Sequence, residues 1–123
     1  MNIDCHRDYT SHGDGTFRPG DFDSLGDNVI FECADSGMYL GGYGNLIRDN
    51  TVRDCLSDGI RVLWGSSNQI EDNVLSANDY GLRLGCSNSV YRGNTARDNS
   101  TADFSDSGTG NTSHGDNYMP GQM

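Results

Sequence analysis

Residues 49–62 read DNTVRDCLSDGIRV, and residues 72–84 read DNVLSANDYGLRL. The second stretch follows the first position by position, with one residue fewer between its asparagine and its glycine. Residues 27–40, DNVIFECADSGMYL, match the first stretch without a gap. A degenerate copy begins at Asn94, and Asp116 with Asn117 marks the start of a further, partial copy. The chain is therefore built from repeats of about 22 residues.

Apolar residues recur at fixed phases of this repeat, so each copy is predicted to hold three short strands separated by Asn, Gly and Asp turns. Antiparallel hairpins would not need the same side chain to recur at one phase. A coil stacked on its own copy does need it, because each residue then lies about 4.8 Å above its equivalent. The prediction is an all-β fold, a short single-stranded parallel β-helix (β-solenoid) of about five coils. The equivalent residues are Ile47, Ile70 and Tyr91 in one strand, Val52, Leu75 and Ala96 in a second, and Ile60 with Leu82 and Val62 with Leu84 in the third.

The composition of the 123 residues agrees with strands and turns. Gly, Asn, Asp and Ser fill 58 positions, Lys is absent and Glu occurs twice, which argues against an all-α fold. A hydrophobic fraction of 33% is typical of disorder, but a disordered tract has no reason to hold aliphatic residues at one phase. Eighteen acidic and eight basic residues give a net charge of −10. Because that charge repels phosphate backbones and anionic lipids, neither nucleic acid nor a membrane is expected as a partner.

Two corners of the predicted coil carry stacked small polar side chains. An inward Asn can donate its amide to the Asn of the next rung and satisfy the backbone of the turn. At the second corner two cysteines would lie one rung apart with parallel Cβ vectors, so free thiols are expected there rather than a disulfide. The first corner holds Asn28, Asn50, Asn73 and Asn94, and the second holds Cys33, Cys55, Asn78 and Asn99.

The repeated pattern N-x-[V/L]-x-x-[C/N]-x-x-x-G-[I/L]-x-[V/L] resembles the right-handed parallel β-helix repeat. It runs from Asn50 to Val62, from Asn28 to Leu40 and, one residue shorter, from Asn73 to Leu84. This superfamily includes pectate lyases, polygalacturonases, alginate epimerases, phage tailspikes and a periplasmic copper-maturation protein. The resemblance implies a right-handed coil and a secreted or periplasmic location; without it, a cytoplasmic location is expected, because Met1 to Arg7 lack the features of a signal peptide.

The repeat divides the chain into three parts. Residues 1–24 are expected to form an N-terminal cap or a degenerate first coil, in which Ile3 falls 22 residues before Leu25 and Phe17 falls 22 before Tyr39. Residues 25–104 hold the β-helix repeats, and residues 105–123 form a terminal loop, a partial last coil and a tail that folds over the last rung. Because the stack is short, a homo-oligomer formed by end-to-end or side stacking is a further expectation.

The strand after the glycine presents the candidate ligand-binding residues. Its outward positions are predicted to stack Tyr39, Arg61, Arg83 and Asp103. An arginine pair one rung apart would suit a polyuronate, because each carboxylate along the glycan can meet a planar guanidinium. The alternative is that Arg61 and Arg83 only neutralise the neighbouring Asp58 and Asp79, as surface ion pairs that contribute little.

Two catalytic readings stay open, so the sequence leaves undecided whether the protein is an enzyme. In the lyases that the chain resembles, an arginine abstracts a proton, often with calcium on nearby aspartates; this would cast Arg61 or Arg83 as the base and calcium as the only cofactor. A glycoside hydrolase would instead need two carboxyl groups. Asp35 and Asp79 share a phase two rungs apart, about 9.6 Å, at the upper edge for inversion, and Asp58 would lie between them.

The remaining candidates have weaker patterns. Trp64, in a slightly longer rung, could stack on a sugar ring with Tyr39 or Tyr43, or pack against the next loop. The histidines have no partner at short spacing, so no metal site is predicted. Outward Arg48, Glu71 and Arg92 are predicted to support strand register. The leading hypothesis is binding or processing of carbohydrate, including polyuronates; the alternative is a non-catalytic structural or assembly module. The histidines are His6, His12 and His114.

Overall fold

The computed structural model describes residues 2–4, 16–19 and 24–122. Their regular structure consists entirely of short strands, three to a coil, and five coils follow one another along the chain. Coil 1 is β1 (Asn2–Asp4), β2 (Thr16–Pro19) and β3 (Ser24–Gly26); coil 2 is β4 (Val29–Phe31), β5 (Met38–Tyr43) and β6 (Leu46–Arg48); coil 3 is β7 (Thr51–Arg53), β8 (Asp58–Ser66) and β9 (Gln69–Glu71); coil 4 is β10 (Val74–Ser76), β11 (Tyr80–Leu84) and β12 (Val90–Arg92); coil 5 is β13 (Thr95–Arg97), β14 (Ala102–Asp106) and β15 (Thr112–Ser113).

Every strand pairs in parallel with its equivalent in the neighbouring coil. Sheet A has the order β1-β4-β7-β10-β13, sheet B has β2-β5-β8-β11-β14, and sheet C has β3-β6-β9-β12-β15. The predicted parallel β-solenoid is confirmed. From the first to the last of the five strands of one sheet the chain makes about four complete turns, so the expected number of about five is slightly high when complete turns are counted.

The register of the sheets reproduces the predicted phases. Val52 pairs with Leu75 and Leu75 with Ala96, and the other two predicted sets pair in the same way. Apart from the partly buried Tyr91, these side chains are buried in the core, where each Val, Leu or Ile gains about 1.5–3 kcal/mol by leaving water. One equivalence is wrong: Ile3 pairs with Ile30, whereas Leu25 pairs with Ile47. The first coil is longer than 22 residues, so a fixed shift does not hold there, although Phe17 pairs with Tyr39 as expected.

An asparagine ladder runs through the corner between sheets C and A. The Nδ2 of Asn50 donates to Oδ1 of Asn73 at 3.0 Å, and that of Asn73 donates to Oδ1 of Asn94 at 3.0 Å. Asn28 and Asn117 extend the ladder at its two ends. The residue before each ladder asparagine has a positive φ, which explains why Asp or Gly recurs there. These residues are Asp27, Asp49, Asp72, Gly93 and Asp116, with φ of 58°, 56°, 55°, 64° and 56°.

Two further corners are built in the same way. Between sheets A and B, the Oδ1 atoms of Asn78 and Asn99 accept from the backbone N–H one coil earlier. Between sheets B and C, a ladder that the sequence analysis missed joins Asn45, Asn68, Ser89 and Asn111. Its signal was weaker because a serine interrupts the asparagines.

The cysteines at the second corner differ from the prediction in one respect. Cys55 and Cys86 are buried and are not in a disulfide, but Cys33 is disulfide-bonded. The expectation of a free thiol at Cys33 was wrong, because the spacing argument considered only its neighbour one rung away.

The last coil is covered by the C-terminal tail. Tyr118 bridges to Thr95 of sheet A, and Gln122 bridges to Phe104 of sheet B. Met119 is buried against the core between these two points. The tail therefore follows the path of a further coil while forming only isolated bridges.

Candidate functional site

The outward column of sheet B contains the predicted pair of arginines. Tyr39 pairs with Arg61 and Arg61 with Arg83, so the three side chains stack on one face. The guanidinium of Arg61 lies over the ring of Tyr39, with 5.9 Å from Cζ to the ring centroid. Register alone fixes this arrangement, since the three residues share one phase of the repeat.

Asp103 does not belong to this column. Ser105 pairs with Arg83, so Asp103 occupies the level of the glycines at the start of the strand, where it is buried. Its Oδ1 accepts from the backbone N–H and Nδ2 of Asn99, at 3.2 and 2.8 Å, and its Oδ2 accepts from the N–H of Gly121 at 2.7 Å. The carboxylate thus replaces the asparagine of a following rung and anchors the tail. The expected outward, ligand-facing position of Asp103 was wrong.

Asp58 lies next to Arg83 and is fully buried, with 0% exposure. Its Oδ2 accepts from the hydroxyls of Ser36 at 3.2 Å and Ser57 at 3.4 Å. Its Oδ1 has no hydrogen-bond partner among the described residues, but lies 3.5 Å from Nη1 of Arg83. A carboxylate in this position acts on Arg83 from below rather than on a ligand above the sheet.

Arg83 is held on two sides. Asp58 attracts it from below, and its guanidinium lies over the ring of Tyr80, with 4.5 Å from Cζ to the centroid. Tyr80 and Asp58 are register partners, so both supports belong to one column. The alternative that the arginines of this face neutralise neighbouring aspartates is therefore supported for Arg83, which pairs with Asp58.

Arg61 differs from its neighbour, because it forms no ion pair within the described part of the chain. Among the described residues, the acidic side chains in ion pairs all belong to other arginines: Asp49 to Arg48, Asp54 to Arg53, Asp58 to Arg83 and Glu71 to Arg92. Arg61 is partly exposed, and its guanidinium is supported by the Tyr39 ring. It is therefore the cation of this face that is open to an anionic group.

Asp35 and Asp79 lie two rungs apart at the corner that leads into sheet B. The N–H of Ser57 donates to the carbonyl of Asp35 at 3.2 Å, and that of Asp79 donates to the carbonyl of Ser57 at 2.8 Å. The carboxylate of Asp79 accepts from the hydroxyls of Ser100 and Thr101. Asp79 is thus engaged within its own corner.

Trp64 lies on the same face, further along the strand. It is 45% exposed, and Tyr43 beside it is 49% exposed. The two rings meet edge to face, with centroids 5.9 Å apart at 71°. The longer rung noted in the sequence is a register shift between Leu40 and Gly42.

A cavity of about 320 Å³ at the corner before sheet B was not expected. Coil 4 lacks the residue that Leu56 supplies in coil 3, as the backbone bonds from Ser57 to Asp35 and from Asp79 to Ser57 show. The shorter corner leaves a notch between its neighbours. The one-residue gap in the repeat was the available signal. The lining residues are Cys55, Leu56, Ala77, Asn78, Asp79, Asp98 and Ser100.

The described residues contain no cluster of three or more His, Cys, Asp or Glu side chains that could hold a metal ion. His114 is exposed near the C-terminus, and His6 and His12 lie outside the described residues. Glu71 stacks between Arg48 and Arg92 as predicted, and its Oε2 lies 2.6 Å from Nε of Arg92. In residues 2–4, 16–19 and 24–122, no helix is long and apolar enough to cross a membrane.

The strand order, the parallel pairing and the inward asparagines define the chain as a parallel β-helix. The sequence profile of the family described as right-handed beta helix region matches residues 7–118. The chain belongs to this family, and the β-helix is right-handed, as the resemblance implied. Neither the search of curated proteins nor that of solved structures gave a match.

Proposed function

We propose that the protein binds carbohydrate on the outward face of sheet B. The observation that carries the proposal is Arg61, a cation without an acidic partner among the described residues, stacked between Tyr39 and Arg83. A planar guanidinium supported by an aromatic ring suits a bidentate contact with a carboxylate.

The finer proposal is that the glycan is a polyuronate. Arg61 and Arg83 are one rung apart, about 4.8 Å, so two guanidinium groups can meet carboxylates carried along one glycan. The net charge of −10 repels a polyanion at long range. Recognition therefore depends on short-range contacts at Arg61 and Arg83 rather than on electrostatic steering.

Binding is better supported than catalysis. Asp58 is fully buried, and Asp79 accepts from two hydroxyls of its own corner. A guanidinium holds its proton too strongly to serve as an ordinary base. The acids and arginines of this face are therefore better suited to holding a ligand than to transferring a proton.

Titration calorimetry with tetragalacturonate and tetramannuronate tests the proposal. Arg61→Ala should weaken binding of either oligosaccharide about tenfold or more, because a charge-assisted hydrogen bond contributes roughly 1.5–3 kcal/mol. Arg97→Ala is the matched control: it removes the same charge from the outward face of sheet A, where Arg97 also lacks an ion pair within the described chain. Equal affinities for the two variants would overturn the proposed site.

A non-catalytic assembly module is the second candidate. It is favoured by the number of acids that serve the fold itself, including Asp103, which holds Asn99 and the tail. On this alternative the wild-type protein binds no oligouronate and releases no unsaturated product from alginate or pectate. A solution mass above that of one chain, measured by light scattering, would then favour stacking between copies.

A further inference from the structure

A one-residue bulge in β8 shapes the face of sheet B beyond Arg61. Leu40 pairs with Val62 and Gly42 pairs with Gly65. One residue of β5, Gly41, therefore stands opposite Leu63 and Trp64 of β8. Such a bulge re-aims the side chains around it, and here it brings an aromatic ring onto the neighbouring strand.

The indole of Trp64 rests directly on Gly41. A Cβ at Gly41 would overlap the Nε1, Cε2 and Cδ1 atoms of the ring. Gly41 has no positive φ, so glycine provides room for the ring here and not backbone freedom. Tyr43 packs against the indole in an edge-to-face contact, and nearly half of Trp64 remains in solvent.

Arg61 and Trp64 both lean from β8 onto β5. The guanidinium lies over Tyr39, and the indole lies over Gly41. Tyr39 and Gly41 are two residues apart on one face of the strand, a distance of about 6.6 Å. A half-exposed aromatic ring and a cation without an acidic partner among the described residues thus lie side by side.

We infer that this pair forms a subsite for one hexuronic acid residue of a glycan, which specifies the proposed carbohydrate-binding function and rests on it. The C–H face of the pyranose stacks on Trp64, and the ring carboxylate accepts hydrogen bonds from Arg61. A neutral hexose can use the indole but gains nothing from the charge of Arg61. Trp64 therefore supplies affinity for the ring, and Arg61 supplies preference for the acid.

The fluorescence of Trp64 reports directly on this subsite, because the chain contains a single tryptophan. Tetragalacturonate should change the emission of the wild-type protein, and maltotetraose should do so at higher concentration. In calorimetry, Trp64→Ala should weaken binding of both ligands about tenfold, as expected for loss of an aromatic stacking contact. Arg61→Ala should weaken only tetragalacturonate.

Further variants separate the ring from the fold. Gly41→Ala keeps the tryptophan but displaces it, so emission should shift and affinity should fall. Trp64→Phe should restore most of the affinity lost in Trp64→Ala, whereas Tyr118→Ala, at an exposed aromatic of the tail, should leave binding unchanged. Circular dichroism checks that each variant is folded.

The outcomes distinguish the two proposals. Binding of tetragalacturonate that leaves Trp64 emission unchanged, with full affinity in Trp64→Ala, overturns the subsite but not carbohydrate binding by sheet B. Equal effects of Arg61→Ala on tetragalacturonate and maltotetraose overturn the role of Arg61 in selecting the acid. Absence of any calorimetric binding by the wild-type protein overturns both proposals.

Discussion

Asp58 and Arg83 form an ion pair whose two members experience different surroundings. The carboxylate is buried and the guanidinium is partly exposed. One oxygen of Asp58 has no hydrogen-bond partner among the described residues. The charge of Arg83 is therefore the main interaction that offsets the burial of this oxygen. Removing the arginine therefore leaves a buried charge without a partner, which is costly in a protein interior.

Arg83→Ala is thus expected to lower the free energy of unfolding by about 2 kcal/mol. Arg61→Ala should change it by less than about 0.5 kcal/mol, since Arg61 compensates no buried charge. Urea denaturation measures both. Adding Asp58→Asn to Arg83→Ala should recover part of the loss, and a double variant no more stable than Arg83→Ala would contradict the coupling.

Side-chain phase was sufficient to place Tyr39, Arg61 and Arg83 on one face, because register in a solenoid follows from the repeat length. The depth of Asp58 was not predictable, since it lies at a corner where alternation of inward and outward positions stops. Asp103 was misplaced because it stands where earlier coils have a glycine. Its identity is dictated by the hydrogen bonds of Asn99 and Gly121, which no repeat encodes.

At the scale of elements, the asparagine ladder connects the short strands across coils. Asn73 is fully buried and accepts from the backbone N–H and the Nδ2 of Asn50. It donates to the carbonyl of Ile47 at 3.1 Å and to Asn94 at 3.0 Å. A strand of three residues forms few backbone hydrogen bonds with its neighbours in the sheet. The side-chain hydrogen bonds at the corner therefore help to fix how consecutive coils stack.

Asn73→Ala should lower the free energy of unfolding by about 3 kcal/mol, because it leaves several buried polar groups without partners. Gln69→Ala, at an exposed position of the adjacent strand β9, is the control and should cost under about 1 kcal/mol. Thermal and urea unfolding provide the comparison. Similar losses in the two variants would show that the ladder is not a main source of stability.

The repeat in the sequence predicted this ladder but not the bulge in β8. The ladder needs the same residue type in every coil, which leaves a visible pattern. The bulge occurs once, and its partner is a glycine whose role becomes evident only when the indole of Trp64 is seen to lie over it.

The described residues share one hydrophobic core cluster, and the stability of the fold should decrease at alkaline pH. Burial raises the pKa of the Cys86 thiol above its ordinary value of 9.0, with a further contribution from Asp106. Burial and the same aspartate raise the pKa of Tyr91 above 10.0. The folded state therefore holds these protons more tightly than the unfolded state does.

By linkage, this stabilisation is complete below pH 9 and is lost as the pH rises through the raised values. The urea concentration at the unfolding midpoint should therefore decrease as the pH is raised from 8 to 11. Cys86→Ser and Tyr91→Phe should each reduce the fall, whereas Tyr118→Phe, at an exposed tyrosine, should not. A midpoint with the same pH dependence in all of these proteins would refute the assignment.

The shortened corner of coil 4 shows where this architecture tolerates a change in length. Leu56 of coil 3 has no counterpart in coil 4, yet the strands on both sides keep their pairing. A residue gained or lost within a strand would instead turn the later side chains of that strand to the opposite face, unless a bulge absorbs it as in β8. A segment grafted at this bend would therefore be displayed beside sheet B while the pairing of the strands is kept.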